Sequence, residues 1–272
     1  MPSPEKNSIV HPQHSRARLI SIGIIAVAVA GGCVLLLSGF FAADAAEVVR
    51  VVDGDTVIVK SDGDEKRVRV LDIDTPETVD PSEPEECLGQ EASRFTESVL
   101  SPGTPVELQF DHDAHDPYGR DLAVIRFDDG KSLAEELARR GLGVPFETGA
   151  NDARLEPVRE AFREAASSGR GFFDDSIDCT VASGLQQLSA NEAKIADLDA
   201  GSSSSDAAAA AASTVAILSS LSSLETQLGI DSPMAVRAFV LAGKRSDIKN
   251  ARTAIEDLHQ RQERFEKTAS NR

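Results

Sequence analysis

Three short clusters, Asp53-Gly54-Asp55-Thr56, Asp74-Thr75-Pro76-Glu77 and Tyr118-Gly119-Arg120, together with Arg69, carry side chains that could do chemistry as a set. Asp55, Asp74 and Glu77 offer carboxylates, and Arg69 and Arg120 offer guanidiniums. Carboxylates of this kind hold a hard cation and position a water, while guanidiniums meet negative charge as it builds on a reacting phosphorus. Arginine suits that task better than lysine because its planar fork bonds two phosphate oxygens at once. Pro76 favours an extended Thr75 and fixes a turn there, so Glu77 is directed away from the preceding strand. His112 and His115 flank Asp113, but the remaining ligands of a metal cluster are missing, and they read as solvated loop residues.

Residues so far apart in sequence need a scaffold that returns their loops to one place. Segments 48–52 and 56–60 flank Asp53-Gly54, a hairpin dipeptide, and Asp62-Gly63 is a second turn before an alternating segment at 67–73. Residues 89–100 place Ala92, Phe95 and Val99 at helical spacing. Two more strands are expected at 106–110 and 122–127, and helices at 132–140 and 155–168, stopped by Gly141 and Gly169. Five strands with a helix inserted after the third predict an α+β fold, an OB-type five-stranded barrel with packed helices.

Beyond Cys179 the texture changes, and a C-terminal α-helical appendix is expected. Leu185, Leu188, Ile195 and Leu198 share one helical face, as do Ile217, Leu221, Leu224 and Leu228. Leu241, Ile248, Ile255, Leu258 and Phe265 are spaced like heptad core positions, so self-association through residues 181–272 is a further expectation. Residues 201–212 are Ser- and Ala-rich and read as a linker or helix start.

Residues 19–43 are uncharged and follow Arg16 and Arg18, the pattern of an export signal or a membrane anchor. The positive flank directs residue 47 onward out of the cytoplasm, as a secreted or membrane-anchored domain. Ala43-Asp44-Ala45 fits a cleavage site, and Cys33 after Ala-Gly-Gly is a loose echo of a lipoprotein site. The chain therefore divides into 1–46 (signal or anchor), 47–180 (barrel) and 181–272 (helical region). Cys87 and Cys179 would then sit in an oxidising compartment, either joined as a disulfide or as two buried thiols.

Hydrophobic residues make up 41% of the 272 residues, enough for a core, but aromatics are only 4%, so aliphatic side chains must carry the packing. The formal net charge is −17, and the excess sits on residues 47–180. That excludes a simple basic nucleic-acid binder, because phosphate binding ordinarily draws on net positive charge. A bound divalent cation with clustered arginines, or a salty habitat that screens repulsion, would remove the conflict.

Residues 47–180 resemble the thermonuclease, or staphylococcal nuclease-like, family. The resemblance rests on VVDGDT at 51–56, RVLDIDTPET at 69–78, CLGQEASRFT at 87–96, DPYGRDLAVI at 116–125 and ARRGLG at 138–143, in that order. It implies a calcium-dependent nuclease on an OB-type barrel, cleaving DNA and RNA at the P–O5′ bond and leaving 3′-phosphates. Carried over by position, Asp55 and Asp74 are calcium ligands, and Thr75 is one through its carbonyl. Glu77 orients or deprotonates the attacking water, Arg69 and Arg120 bind the phosphate, and Tyr118 lies beside it. The paired cysteines of bacterial secreted members match Cys87 and Cys179. The chain departs from the family where a tyrosine pair is expected near the nucleotide base. Gly143-Val144-Pro145-Phe146-Glu147-Thr148 stands there instead, with Phe146 out of register, and Pro117 replaces a basic residue. Lysine at position 69 or 120 is expected to cut turnover and spare the fold. Two other readings remain: a non-catalytic binding module of the same fold, and an envelope-tethered oligomer whose helical region carries the main role.

Overall fold

The computed structural model describes residues 43–78, 85–199 and 234–270. The uncharged segment at 19–43 (all but its last residue), Cys33, the Ser/Ala-rich stretch and the face built on Ile217 to Leu228 lie outside the described residues. So do the side chains of Ile195, Leu198, Leu258 and Phe265. Among the described residues, no helix is long and apolar enough to cross a membrane.

Five strands close into a barrel: β1 (Ala43–Val51), β2 (Thr56–Ser61), β3 (Asp64–Val70), β5 (Pro105–Gln109) and β6 (Asp121–Arg126), in the order β1-β2-β3-β6-β5. Neighbours run antiparallel except β3 and β6, which are parallel and pair Arg69 with Leu122. That is the OB-type layout expected from the sequence. The β2–β3 turn carries Asp62 at φ 55° and Gly63 at φ 97°, the paired left-handed conformations that a two-residue hairpin demands. Alternation of apolar residues fills the barrel with Val57, Val59, Val68, Val70, Leu108 and Ile125, all fully buried.

β1 starts earlier than the sequence suggests. Ala43 pairs with Gln109, and the register runs on to Glu47 against Pro105, so the small-residue stretch at 43–45 is strand. A short ladder, β4 (Ile73–Asp74) with β7 (Val144–Pro145), stands beside the barrel and was not visible in the sequence pattern. Two-residue strands are too short to show a period. Gly143 permits the ladder's close approach, since a Cβ there would lie 2.9 Å from the Asp74 carbonyl oxygen.

Three helices follow their expected spans closely: α1 (Gly89–Val99), α2 (Leu133–Arg139) and α3 (Leu155–Ser167). Ser132 caps α2 by accepting the Glu135 N–H at 3.1 Å and donating to the Glu135 carboxylate, a reciprocal box that fixes where the helix begins.

The C-terminal helices share the barrel's core rather than standing apart. They are α4 (Val181–Asp199), α5 (Met234–Leu241) and α6 (Arg245–Ser270). Val181, Leu188, Met234, Phe239, Ile248 and Ile255 are buried in the same cluster as the barrel valines. The Phe239 ring stands 5.3 Å from that of Phe173. The heptad reading of Leu241 is corrected: it is 53% exposed at the end of α5, and Gly243, at φ 74°, breaks the chain before α6. Among the described side chains, these apolar residues of α4–α6 pack into the barrel's own cluster.

Candidate active site

Asp55 sits at the C-terminal end of the β1–β2 turn. Its backbone N–H donates to Asp53 Oδ1 at 3.0 Å, and the Thr96 hydroxyl of α1 donates to the Gly54 carbonyl at 2.7 Å. Gly54 is required by space: a Cβ there would meet Thr75 Oγ1 at 2.7 Å and Ala92 Cβ at 2.9 Å. The turn is therefore pressed onto both α1 and the Thr75 segment. Oδ2 of Asp55 accepts the Thr75 N–H at 2.8 Å and the Thr75 hydroxyl at 2.9 Å, tying the two acidic motifs together.

Arg69, at the end of β3 and only 8% exposed, binds these motifs into one cluster. Its Nη1 donates to the carbonyls of Val70 and Ile73 at 2.9 and 2.8 Å and lies 3.1 Å from Asp55 Oδ2. Its Nη2 donates to Asp74 Oδ1 at 2.8 Å. Arg69 is thus a buried hub of the cluster and not an exposed barrel position.

One cavity of about 360 Å³ is lined by Asp55, Arg69, Asp74, Thr75, Glu77, Tyr118 and Arg120, along with Asp53, Asp116 and Phe146. Every residue singled out from the sequence for chemistry thus faces the same space. Glu77 is exposed at the rim; its Oε1 accepts the Thr78 N–H, and its own N–H donates to Glu86 Oε2, both at 2.9 Å. Tyr118 is 86% exposed, with its ring centroid 5.7 Å from Arg120 Cζ. His115 pairs with Asp121 at 2.9 Å and His112 is exposed, in keeping with their reading as loop residues.

Burial pushes the Asp55 carboxyl up to about 7, even though Arg69 pulls the other way, and the negative charges of Asp53 and Asp74 add to the rise. Two oxygen-donor side chains lining a cavity open to water suit a hard divalent cation. Among the described residues no three carboxylate, imidazole or thiolate groups converge, so an ion held by Asp55 and Asp74 would draw its other ligands from the Thr75 carbonyl, water and substrate.

Three residues that the sequence reading missed, Asp116, Glu86 and Arg237, shape the site together with Phe146. Asp116 anchors Arg120 through Oδ2 to Nε at 2.6 Å. Burial opposes its charge, but the hydrogen bonds from Arg120 outweigh this and hold its carboxyl below the ordinary range. Phe146, which the sequence reading placed out of register, lines the cavity just after β7, its N–H donating to the Asp72 carbonyl at 3.2 Å. Glu86 bonds the Glu77 backbone, and Arg237 of α5 bonds Asp74 Oδ2 at 2.6 Å. Asp116 had a signal, its place four residues before Arg120. Arg237 had none, standing 163 residues from its partner.

The profile of the family described as "Staphylococcal nuclease homologue" matches residues 67–175. A thermonuclease of Staphylococcus intermedius is 39% identical over 118 residues, 43% of this chain and 69% of that protein. This chain belongs to the thermonuclease family. A second thermonuclease, of Staphylococcus hyicus, is 44% identical over 97 residues, 35% of this chain and 56% of its own length. An SPbeta prophage-derived endonuclease of Bacillus subtilis (strain 168) is 38% identical over 120 residues, 43% of this chain and 40% of its own length. Of these relatives the last two are spanned for less than two thirds of their length. The C-terminal helices α4–α6 lie beyond residue 175, where the family profile ends.

Proposed function

We propose that this protein is an exported, calcium-dependent nuclease that hydrolyses phosphodiester bonds of DNA and RNA and leaves 3′-phosphates. One observation carries the reading: a single cavity gathers Asp55, Asp74, Glu77, Arg69, Arg120 and Tyr118. The relatives named thermonuclease and endonuclease support the reaction class.

Asp55, Asp74 and the Thr75 carbonyl would hold the cation. Bound there, it would neutralise phosphate charge that this acidic cavity otherwise repels. Arg120, fixed by Asp116, presents its fork to the non-bridging phosphate oxygens, and Arg69 adds positive charge from the cavity floor. Glu77, at the solvent rim, takes a proton from the attacking water as the P–O5′ bond breaks and the departing oxygen acquires a proton from solvent. The exposed Tyr118 ring packs alongside the substrate phosphate.

Export is supported by the basic-then-uncharged N-terminal pattern and by the Cys87–Cys179 disulfide, whose Cα atoms stand 5.6 Å apart. Secretion and membrane anchoring both satisfy that support. Incubating the purified protein with plasmid DNA and with RNA, in calcium or in chelator, tests the reaction. Degradation in calcium alone, loss of it in Glu77→Gln, and 3′-phosphate ends are expected. Equal degradation in chelator would remove the metal from the mechanism, and no degradation with any divalent ion would remove the activity.

A further inference from the structure

The carboxylate of Asp74 is held from two sides by arginines of different origin. Oδ1 accepts from Nη2 of Arg69, a barrel residue lining the cavity, at 2.8 Å. Oδ2 lies 2.6 Å from Nη1 of Arg237, on α5. Arg237 is 13% exposed, is absent from the cavity lining, and has its guanidinium carbon 5.5 Å from the centre of the Phe146 ring. It reaches Asp74 from α5, with its guanidinium over the Phe146 ring, which itself lines the cavity.

α5 is built to keep that arginine in place. Met234, Ala235, Val236, Ala238 and Phe239 are buried around it, so the helix is fixed by core packing and not by the ion pair alone. Its first N–H, on Met234, donates to Glu86 Oε1 at 3.2 Å, while Glu86 Oε2 accepts the Glu77 N–H at 2.9 Å. The helix thus meets both acidic positions of the Asp74–Glu77 turn: one through Arg237, the other through a shared carboxylate.

We propose that Arg237 is a positioning residue, supplied by the C-terminal helical region, that fixes the Asp74 carboxylate for cation binding. The inference rests on the calcium-nuclease reading above. With Oδ2 bonded to Arg237 and Oδ1 to Arg69, the carboxylate is held against rotation about its last bond. An oriented ligand oxygen binds more tightly than a rotating one, and loss of such an orienting partner commonly costs about tenfold to a hundredfold in metal affinity. The opposite role, a plug that competes with the cation, would require Arg237 to occupy the cavity, and it does not line it.

Calorimetric titration of calcium into the wild-type protein, Arg237→Ala and Arg237→Lys tests this without recourse to activity. Calcium affinity is expected to fall about tenfold or more in Arg237→Ala and to recover in part in Arg237→Lys, whose ammonium can still donate to Oδ2. If the alanine protein does not fold, Arg237→Met, which keeps the volume and removes the donor, is expected to show the same loss. Wild-type affinity in the alanine or methionine protein would reduce Arg237 to a fold contact, and tighter binding would make it a plug; either overturns the proposal. Failure of the wild-type protein to bind calcium would instead bring down the site reading itself, and this inference with it.

Discussion

Asp116 grips Arg120 at two points: its Oδ1 accepts the Arg120 backbone N–H at 2.9 Å, and its Oδ2 lies 2.6 Å from Arg120 Nε. The same Oδ1 accepts the Tyr118 N–H at 3.0 Å, and Gly119, at φ 80°, gives the turn its shape. One carboxylate therefore sets the position of both side chains proposed to meet the phosphate. Because the grip uses Nε, the two Nη groups remain the edge of the fork offered to substrate.

Asp116→Ala should leave Arg120 present but unaimed. Misplacement by an ångström or so at a reacting centre costs up to about a hundredfold in rate. We expect kcat to fall by about tenfold to a hundredfold while the circular-dichroism spectrum stays that of the wild type. Arg120→Lys, which loses the fork itself, should fall at least as far. Wild-type kcat in Asp116→Ala would show that Arg120 needs no anchor.

Arg69→Lys is a harsher change than the sequence implies. Arg69 joins two backbone carbonyls and two carboxylates in a buried position, and an ammonium cannot meet them all. Each charge-assisted bond lost in such a setting costs about 1.5–3 kcal/mol. The variant should therefore be less stable as well as slow, more so than Arg120→Lys, where the half-buried side chain bonds the single carboxylate of Asp116. Urea unfolding of the two variants checks the difference; equal midpoints would mean that Arg69 holds little together.

Burial raises Asp55 and Asp72 from 3.8 to about 7. The sign of the effect on the metal-free fold follows. Both groups bind their protons more tightly folded than unfolded, so their contribution is fully present below 3.8 and is lost as pH rises through about 7. The metal-free melting temperature should fall across that window. Calcium needs Asp55 ionised, so below about pH 7 its binding must expel a proton, and affinity should rise with pH before levelling off. Thermal melts with and without calcium, with proton release measured in two buffers, test both statements. A calcium affinity independent of pH would detach Asp55 from the ion.

The barrel was legible because its information is local: alternating valines, Asp-Gly turns and helix stops at Gly141 and Gly169. The residues that line the cavity were legible because three motifs and Arg69 carry them, each at a strand end or tight turn. What escaped is non-local or too short to show a period. The β4–β7 ladder rests on two residues per strand and on space left by Gly143. Leu241 had the spacing of a buried residue, but Gly243 ends its helix before the pattern can continue. Arg237 reads as any polar helix residue until packing of Met234 and Phe239 brings α5 onto the Asp74 turn.

The Cys87–Cys179 bond fastens the segment before α1 to the residues leading into α4, across a separation of 92 residues. Cys87 directly follows Glu86, whose carboxylate holds the Glu77 and Met234 N–H groups, so the bond secures the place where α5 and the site turn meet. Closing a loop of that length removes about 4.6 kcal/mol of unfolded-state entropy in the chain-entropy description. For a domain of this size that corresponds to a melting temperature lower by about 10 °C in the Cys87→Ser/Cys179→Ser protein, or in reductant. Calcium should recover part of the loss, because an ion that binds only the folded state stabilises it by mass action. Differential scanning calorimetry of the oxidised, reduced and double-serine proteins measures the shift, and an unchanged melting point would show that core packing alone secures the junction.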